Sequence, residues 1–346
     1  MTHYSAQTSG GDGAPVRVLM LTKDWPSPGQ PWRAPFIFQQ YKFLAAAGAD
    51  VDFFTFPGRK NPVNYLRAWV EVRKRLRSRA YDVVHAQFGQ SGMLALPKTR
   101  PLVVTFRGSD LEGIVGADGR FTAAGRLLRG ISRTVAREAD AVCLVSESMS
   151  RHLPAGVRYE IVPSGLDLEL FKPGDRAAAR RELELPADGR LVLFGGNPTV
   201  ARKRHGLASA AVAALSPRVP ATLVAAGQVA HDRMPLWMNA CDCLLLTSIH
   251  EGSPNVVKEA LACNVPVVSV DVGDVRQRIG AIPGCRLCED DRPETITAAL
   301  AEVLTRAEPF DGRSSVAELD ERMLVRRMIG IYRGAIARFG GARRTA

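Results

Sequence analysis

The sequence predicts an α/β protein made of two doubly wound, mostly parallel sheets that face each other across a cleft. Three observations carry this expectation. In both halves, apolar runs of strand length alternate with helix-length stretches, the pattern of repeated β-α-β units. The chain has 346 residues, too many for one ordinary core and suited to two domains of about 150 residues each. A stretch rich in Pro, Gly and charge at 164–173 separates the halves. A hydrophobic share of 46% with 23% charged residues is that of a soluble globular protein. The absence of any apolar run of about 18 residues excludes a membrane-spanning helix.

Residues 1–15 are polar and Gly-rich with no apolar core, so they read as a disordered tail and not as a secretory signal. Six cysteines in so long a chain make no disulfide framework, and a reducing cytoplasm is the expected setting. Cys285 and Cys288 have metal-ligand spacing and Cys241 and Cys243 lie upstream. The latter pair flanks the start of an apolar strand, so all four read as small buried hydrophobes. The net charge of +11 points to anionic partners, with nucleotide sugars, anionic lipid surfaces and nucleic acid all satisfying that condition.

The first half opens with a strand at 16–22. A loop at 23–33 follows, stiffened by Pro and holding Trp25 and Trp32, beyond the end of a strand where open sheets place ligands. A helix is expected over 35–47 and a strand over 51–56. Residues 64–79 form a basic amphipathic helix, with Arg67, Arg73, Lys74, Arg75, Arg77 and Arg79 around Leu66, Trp69, Val70 and Leu76. Such a helix either lies on an anionic membrane or presents a solvated face, and the solvated face is the simpler reading. Strands at 82–86 and 101–106 run into polar loops at 87–92 and 107–110. His85 at a strand end reads as a satisfied core histidine before it reads as a base. Strands at 139–146 and 159–163 complete the half.

The second half begins with a strand at 191–194 and a Gly-rich turn, where Gly195 and Gly196 permit close backbone approach and Arg202, Lys203 and Arg204 supply cations. This is no Walker loop, since the Gly-Lys-Ser/Thr ending is missing. A strand at 222–227 leads to Gln228 and Val229, and a short helix spans 234–240. Two further strands, 243–248 and 265–270, bracket a helix with Ser253 as its cap and Pro254 in its first turn. The N–H groups of residues 255–257 are then orphan donors at a positive helix end, suited to a phosphate. Glu251 lies in the loop before that helix and Glu259 just over one turn inside it. Amphipathic helices over 316–339 end the chain.

Glu251 and Glu259 stand with seven residues between them in the frame His-Glu-Gly-Ser-Pro-Asn-Val-Val-Lys-Glu-Ala-Leu-Ala-Cys. This frame closely resembles the donor-site signature of the retaining, nucleotide-sugar-dependent GT-B glycosyltransferases of family four. The resemblance implies that Glu251 lies beside the transferred sugar, that Glu259 bonds the ribose, and that the amides around Ser253, Asn255 and Val256 approach the diphosphate. It implies a diphosphate clamp near Gly196 made by Lys203 with Arg202 or Arg204, and base-binding backbone near Val229. Residues 164–173 resemble the family's interdomain segment, and 271–276 fall where relatives line the donor cleft. Residues 105–110 resemble its Thr-x-His-Gly-x-Asp pattern facing the donor sugar, which makes Arg107 and Asp110 catalytic candidates. Arg107 stands where the family usually has His; Arg cannot act as a base but can hold a phosphate or polar sugar groups.

The expected GT-B organisation is a tail at 1–15, a first Rossmann-like domain at 16–168 on the acceptor side, and a nucleotide-sugar domain at 169–320. A C-terminal helix at 321–346 is expected to cross back onto the first domain. The implied activity is transfer of a sugar from a UDP- or GDP-sugar to a carbohydrate or lipid-linked acceptor hydroxyl, with retention. Peripheral contact with the inner face of a membrane is part of that expectation, and nucleic acid is not. No cofactor and no metal are implied, because the single Asp-x-Asp, Asp50 to Asp52, opens a strand and is not on a loop. The rival readings are a non-catalytic nucleotide-sugar-binding scaffold and an epimerase or phosphorylase on the same fold.

Overall fold

A computed structural model describes residues 14–58, 61–114, 122–215 and 219–344. The tail expected at 1–15 lies almost wholly outside the described residues. The first sheet comprises β1 (Arg17–Thr22), β2 (Asp50–Thr55), β3 (Val83–Gln87), β4 (Leu102–Phe106), β5 (Ala141–Leu144) and β6 (Glu160–Ile161). Its order is β2-β1-β3-β4-β5-β6, every pair parallel. The second comprises β7 (Arg190–Phe194), β8 (Ala221–Ala225), β9 (Cys243–Leu246), β10 (Val267–Ser269) and β11 (Arg286–Leu287). Its order is β11-β10-β9-β7-β8, again all parallel. The structure is therefore the expected pair of doubly wound α/β domains.

Around the first sheet lie α1 (Pro35–Ala46), α2 (Pro62–Ser78), α3 (Gly89–Gly92), α4 (Ser109–Glu112) and α5 (Ala123–Glu138). Around the second lie α6 (Arg176–Glu182), α7 (His205–Ala213), α8 (Met234–Ala240), α9 (Asn255–Ala262), α10 (Val275–Ile279) and α11 (Pro293–Thr305). The chain closes with α12 (Glu321–Arg344). Val325, Met328, Ile331, Tyr332 and Ala335 of α12 share a core with Val16, Val18 and Met20, so this helix belongs to the first sheet.

The order of strands locates the cleft. In the first sheet the chain leaves β1 toward β2 on one side and β3 lies on the other; in the second, β7 is flanked by β8 and β9. Such switch points open crevices at the carboxyl ends of the strands. The loops after β7 and β9 therefore meet, and these carry Lys203 and Glu251.

Two segments pass between the domains. Leu166 pairs with the stretch before α12: its N–H donates to Leu319 O (2.7 Å), and its carbonyl accepts from Glu321 N–H (2.9 Å). Leu166 already packs into the second core with Phe171. All six cysteines are buried. Burial pushes the thiols of Cys143, Cys241 and Cys263 up to about 12 and those of Cys285 and Cys288 up to about 11, as inert core sulfur requires.

The basic helix is α2, and its faces differ from those expected. Ala68, Val72 and Leu76 are the buried stripe. Leu66 and Val70, read from the sequence as part of the apolar face, point outward at 63% and 54% exposure. Trp69 reaches inward far enough for its indole N–H to donate to Leu96 O (2.8 Å).

Candidate functional site

Lys203 and Glu251 meet at the switch point of the second sheet. Lys203 Nζ donates to Glu251 Oε1 at 2.5 Å and Arg202 Nη1 to the same oxygen at 3.0 Å. Backbone contacts fix the two loops together. Ile249 N–H donates to Arg202 O (2.9 Å), and Thr247 Oγ1 to Lys203 O (2.9 Å). Gly196 is where Lys203 must pass: a Cβ there would lie 2.8 Å from Lys203 Cδ. Burial alone would raise the Glu251 carboxyl, but Lys203 and Arg202 outweigh it and hold it below its ordinary range. Arg204 adopts a left-handed conformation (φ 53°) and turns away to pair with Asp291. Of the two arginines, Arg202 is the one that contacts Glu251.

The helix after Glu251 starts one residue later than its sequence suggested. Pro254 is its N-cap residue, with no side-chain cap. Ser253, the expected cap, donates its hydroxyl to Asp274 Oδ2 (2.8 Å) in the next loop. Val257 N–H bonds Pro254 O (3.2 Å), which leaves the N–H groups of Asn255 and Val256 as first-turn donors. Asn255 Oδ1 and Asp274 Oδ1 are buried without a hydrogen-bond partner among the described residues. Glu259, buried on α9, accepts from His231 (Nε2–Oε1 2.9 Å), and the His231 ring lies 5.0 Å from that of Phe171. Burial works against the charged imidazole, yet Glu259, Asp232 and Asp167 raise the His231 pKa above its usual value. Val229 packs at the edge of the same core, two residues before His231. Sequence reasoning missed His231; only its position just after Val229 could have suggested it.

The first domain contributes the 107–112 loop, and its two expected catalytic groups are engaged elsewhere. The Arg107 guanidinium stacks on Phe36 at 4.7 Å and donates to Gln87 Oε1 (2.9 Å), Ser164 Oγ (2.7 Å) and Gln40 Oε1 (3.3 Å). It thus reaches toward the interdomain crossing. Burial lowers its pKa to about 10, against the pull of Glu321 and Asp110. Asp110 accepts from the backbone N–H groups of Arg107, Gly108 and Gly89, each at 3.0 Å. It shapes the loop, and burial raises its carboxyl to about 6. His85 is a core residue: it meets Thr105 Oγ1 (2.8 Å) and Tyr332 OH (2.7 Å), and burial pushes its pKa down to about 3. Asp50 and Asp52 pair with Arg79 and Arg75 on the sheet edge (2.7 and 3.3 Å).

The backbone at Arg107 and Gly108 touches the Glu251 loop directly. A Cβ on Gly252 would lie 2.9 Å from Arg107 O and 3.0 Å from Gly108 Cα. On the other side of that loop, a Cβ on Gly273 would lie 2.7 Å from Gly252 O. Only glycine fits this three-layer approach.

With that geometry in hand, likeness to known proteins decides the family. The Glycosyltransferase Family 4 model matches residues 11–170 and the Glycosyl transferases group 1 model matches residues 176–306. The chain belongs to the GT-B glycosyltransferases of family-four type. It is 27% identical to a putative teichuronic acid biosynthesis glycosyltransferase, TuaC, of Bacillus subtilis, over 66% of this chain and 61% of that protein. It is 25% identical to a D-inositol 3-phosphate glycosyltransferase of Acidothermus cellulolyticus, over 90% of this chain and 86% of that one. The chain thus spans less than two thirds of the Bacillus relative it matches. Among solved structures, a sucrose-phosphate synthase from Thermosynechococcus elongatus shares the GT-B fold with a TM-score of 0.76 at 18% identity, covering 94% of this chain and 100% of that one. Anabaena HepE, solved with UDP and glucose, superposes with a TM-score of 0.70 at 16% identity, covering 91% and 99%.

Proposed function

We propose that this glycosyltransferase moves a sugar from a UDP- or GDP-sugar to an acceptor hydroxyl with retention of configuration, using no metal. One observation carries the reading: Lys203 and Arg202 converge beside the first turn of α9, on the carboxylate of Glu251. Transfer requires stabilising a departing diphosphate and a developing oxocarbenium ion. Two cations and the free N–H groups of Asn255 and Val256 are preorganised for the first task. Glu251 orients the sugar and Glu259 holds the ribose. The reading takes substitution on the front face in preference to a two-carboxylate covalent route. The UDP and glucose in the Anabaena neighbour support a nucleotide-sugar donor.

The test is a panel of UDP-, GDP- and ADP-sugars screened by thermal shift, followed by calorimetry on Lys203→Ala. The variant is expected to bind the preferred nucleoside diphosphate about 1.5–3 kcal/mol more weakly, on the order of 10- to 150-fold, the scale of a charge-assisted hydrogen bond. Unchanged affinity would remove Lys203 from the donor site.

The acceptor proposed is carbohydrate, in surface polysaccharide or glycolipid synthesis, presented at an anionic membrane surface. The Bacillus relative's teichuronic acid role supports the first part. The outer face of α2 supports the second. Val63, Leu66 and Val70 are exposed along its first half, and Trp69, Arg73, Lys74 and Arg77 line a groove along the rest. Nε and Nη2 of Arg73 are buried without a hydrogen-bond partner among the described residues. Burial and the neighbouring Arg77 lower its pKa, so a bound anion would relieve both. Each cation near an anionic surface contributes about 1 kcal/mol, which salt screens. Co-sedimentation is expected with anionic vesicles at low salt and to be lost at high salt or on Arg73→Glu. Equal binding to neutral vesicles would leave α2 a solvated face.

A further inference from the structure

We propose that Glu112 of the first domain and His250 of the second form a latch across the cleft that seats the Glu251 loop and thereby positions Glu251. The proposal deepens the glycosyl-transfer reading, on which the role of Glu251 rests.

His250 Nε2 lies 3.0 Å from Glu112 Oε2, with side-chain exposures of 28% and 6%. Glu112 ends α4, the short helix that follows Arg107 and Gly108, so the contact adjoins the point where Gly108 and Gly252 touch. Glu112 Oε2 has no conventional hydrogen bond among the described residues. A carboxylate buried to that degree is held at a cost unless a cation stands beside it. The imidazole across the cleft is in position to be that cation.

His250 and Glu251 are neighbours that anchor in opposite directions. His250 reaches the first domain, while Glu251 is held within the second by Lys203 and Arg202. Arg202 also donates to the His250 carbonyl (3.0 Å), tying the two anchors through one guanidinium. Moving His250 must therefore move Glu251, at the site where a misplacement of about 1 Å costs on the order of a hundredfold in rate.

The charged groups around the latch are Glu112, His152, Arg151 and Arg129 from the first domain and Arg202 and Glu251 from the second. The contact is an ion pair only while the imidazole carries its second proton.

The experiment combines hydrogen exchange of the 248–254 peptide with steady-state kinetics for the wild type, Glu112→Gln, His250→Gln and the double variant. Each single variant is expected to speed exchange in 248–254 about tenfold and to lower kcat about tenfold, with nucleoside diphosphate affinity unchanged. The double variant is expected to be no worse than either single one, because each removes the same contact. Additive effects, or loop exchange that no variant changes, overturn the latch. His250→Gln alters a part-exposed side chain, so the comparison survives if Glu112→Gln folds poorly. Exchange requires no turnover: a wild type that transfers no sugar would refute the reading of function, while exchange still judges the latch.

Discussion

Glu251→Gln is expected to cut turnover about 100-fold or more while leaving nucleoside diphosphate affinity within about twofold. The magnitude is that of removing one preorganised electrostatic contact to a reacting group. The asymmetry comes from geometry. Glu251 lies between the cations proposed for the diphosphate and the first-domain loop, at 3.0 Å or less from Arg202 and Lys203. Removing its charge deprives the sugar of a partner but frees both cations for phosphate, so nucleotide affinity should hold or rise. Glu259→Gln should behave in the opposite way, because its carboxylate is remote from those cations and held by His231. It should weaken nucleotide affinity and leave turnover at saturating donor nearly intact. Kinetics on both variants, with calorimetry of nucleoside diphosphate binding, measure the two effects. A reversal would mean that the donor lies the other way round in the cleft.

Much of this was legible in the sequence because it is local. Apolar runs such as Cys243–Leu246 gave strands, and the short helix Met234–Ala240 has the expected bounds. The meeting of Lys203 with Glu251 followed from two loops of a doubly wound sheet, 48 residues apart. What escaped were choices between competing partners. Ser253 had a good local role as a cap, but Asp274, buried across the loop, captured its hydroxyl. Arg107 looked free to face the donor, but Gln40, Gln87 and Ser164 converge on it from three other parts of the chain. Leu66 and Val70 fit an apolar stripe on hydropathy alone, but Ala68 and Val72 lie about 200° round the helix from them, and with Leu76 they pack into the core of the first sheet. No periodicity encodes such long-range contacts. The contact of His250 with Glu112 leaves no trace in the sequence at all.

The same blind spot hid the buried charges at the interdomain crossing, and they carry the second large expectation. Glu321 opens α12 where both crossing segments pair, at 2% exposure. Burial raises its carboxyl from 4.5 to about 7, although Arg107 and Lys258 act to lower it. Lys258, fully buried on α9, donates to Ser164 O (3.1 Å), and burial lowers its pKa to about 8. A carboxyl whose pKa is higher in the folded state binds its proton more tightly there. Its contribution to stability is therefore complete below pH 4.5 and is lost as pH rises through about 7. The span between those two values corresponds to about 3 kcal/mol. Gln resembles the neutral acid and cannot ionise. Glu321→Gln should therefore match the wild type near pH 4.5 and be the more stable by up to about 3 kcal/mol at pH 8.5. Unfolding midpoints of the two proteins, compared at each pH, provide the measurement, and other titrating groups cancel in the difference. A variant less stable than the wild type at pH 8.5 would show that the ionised carboxylate, paired with Arg107 and Lys258, holds the domains together.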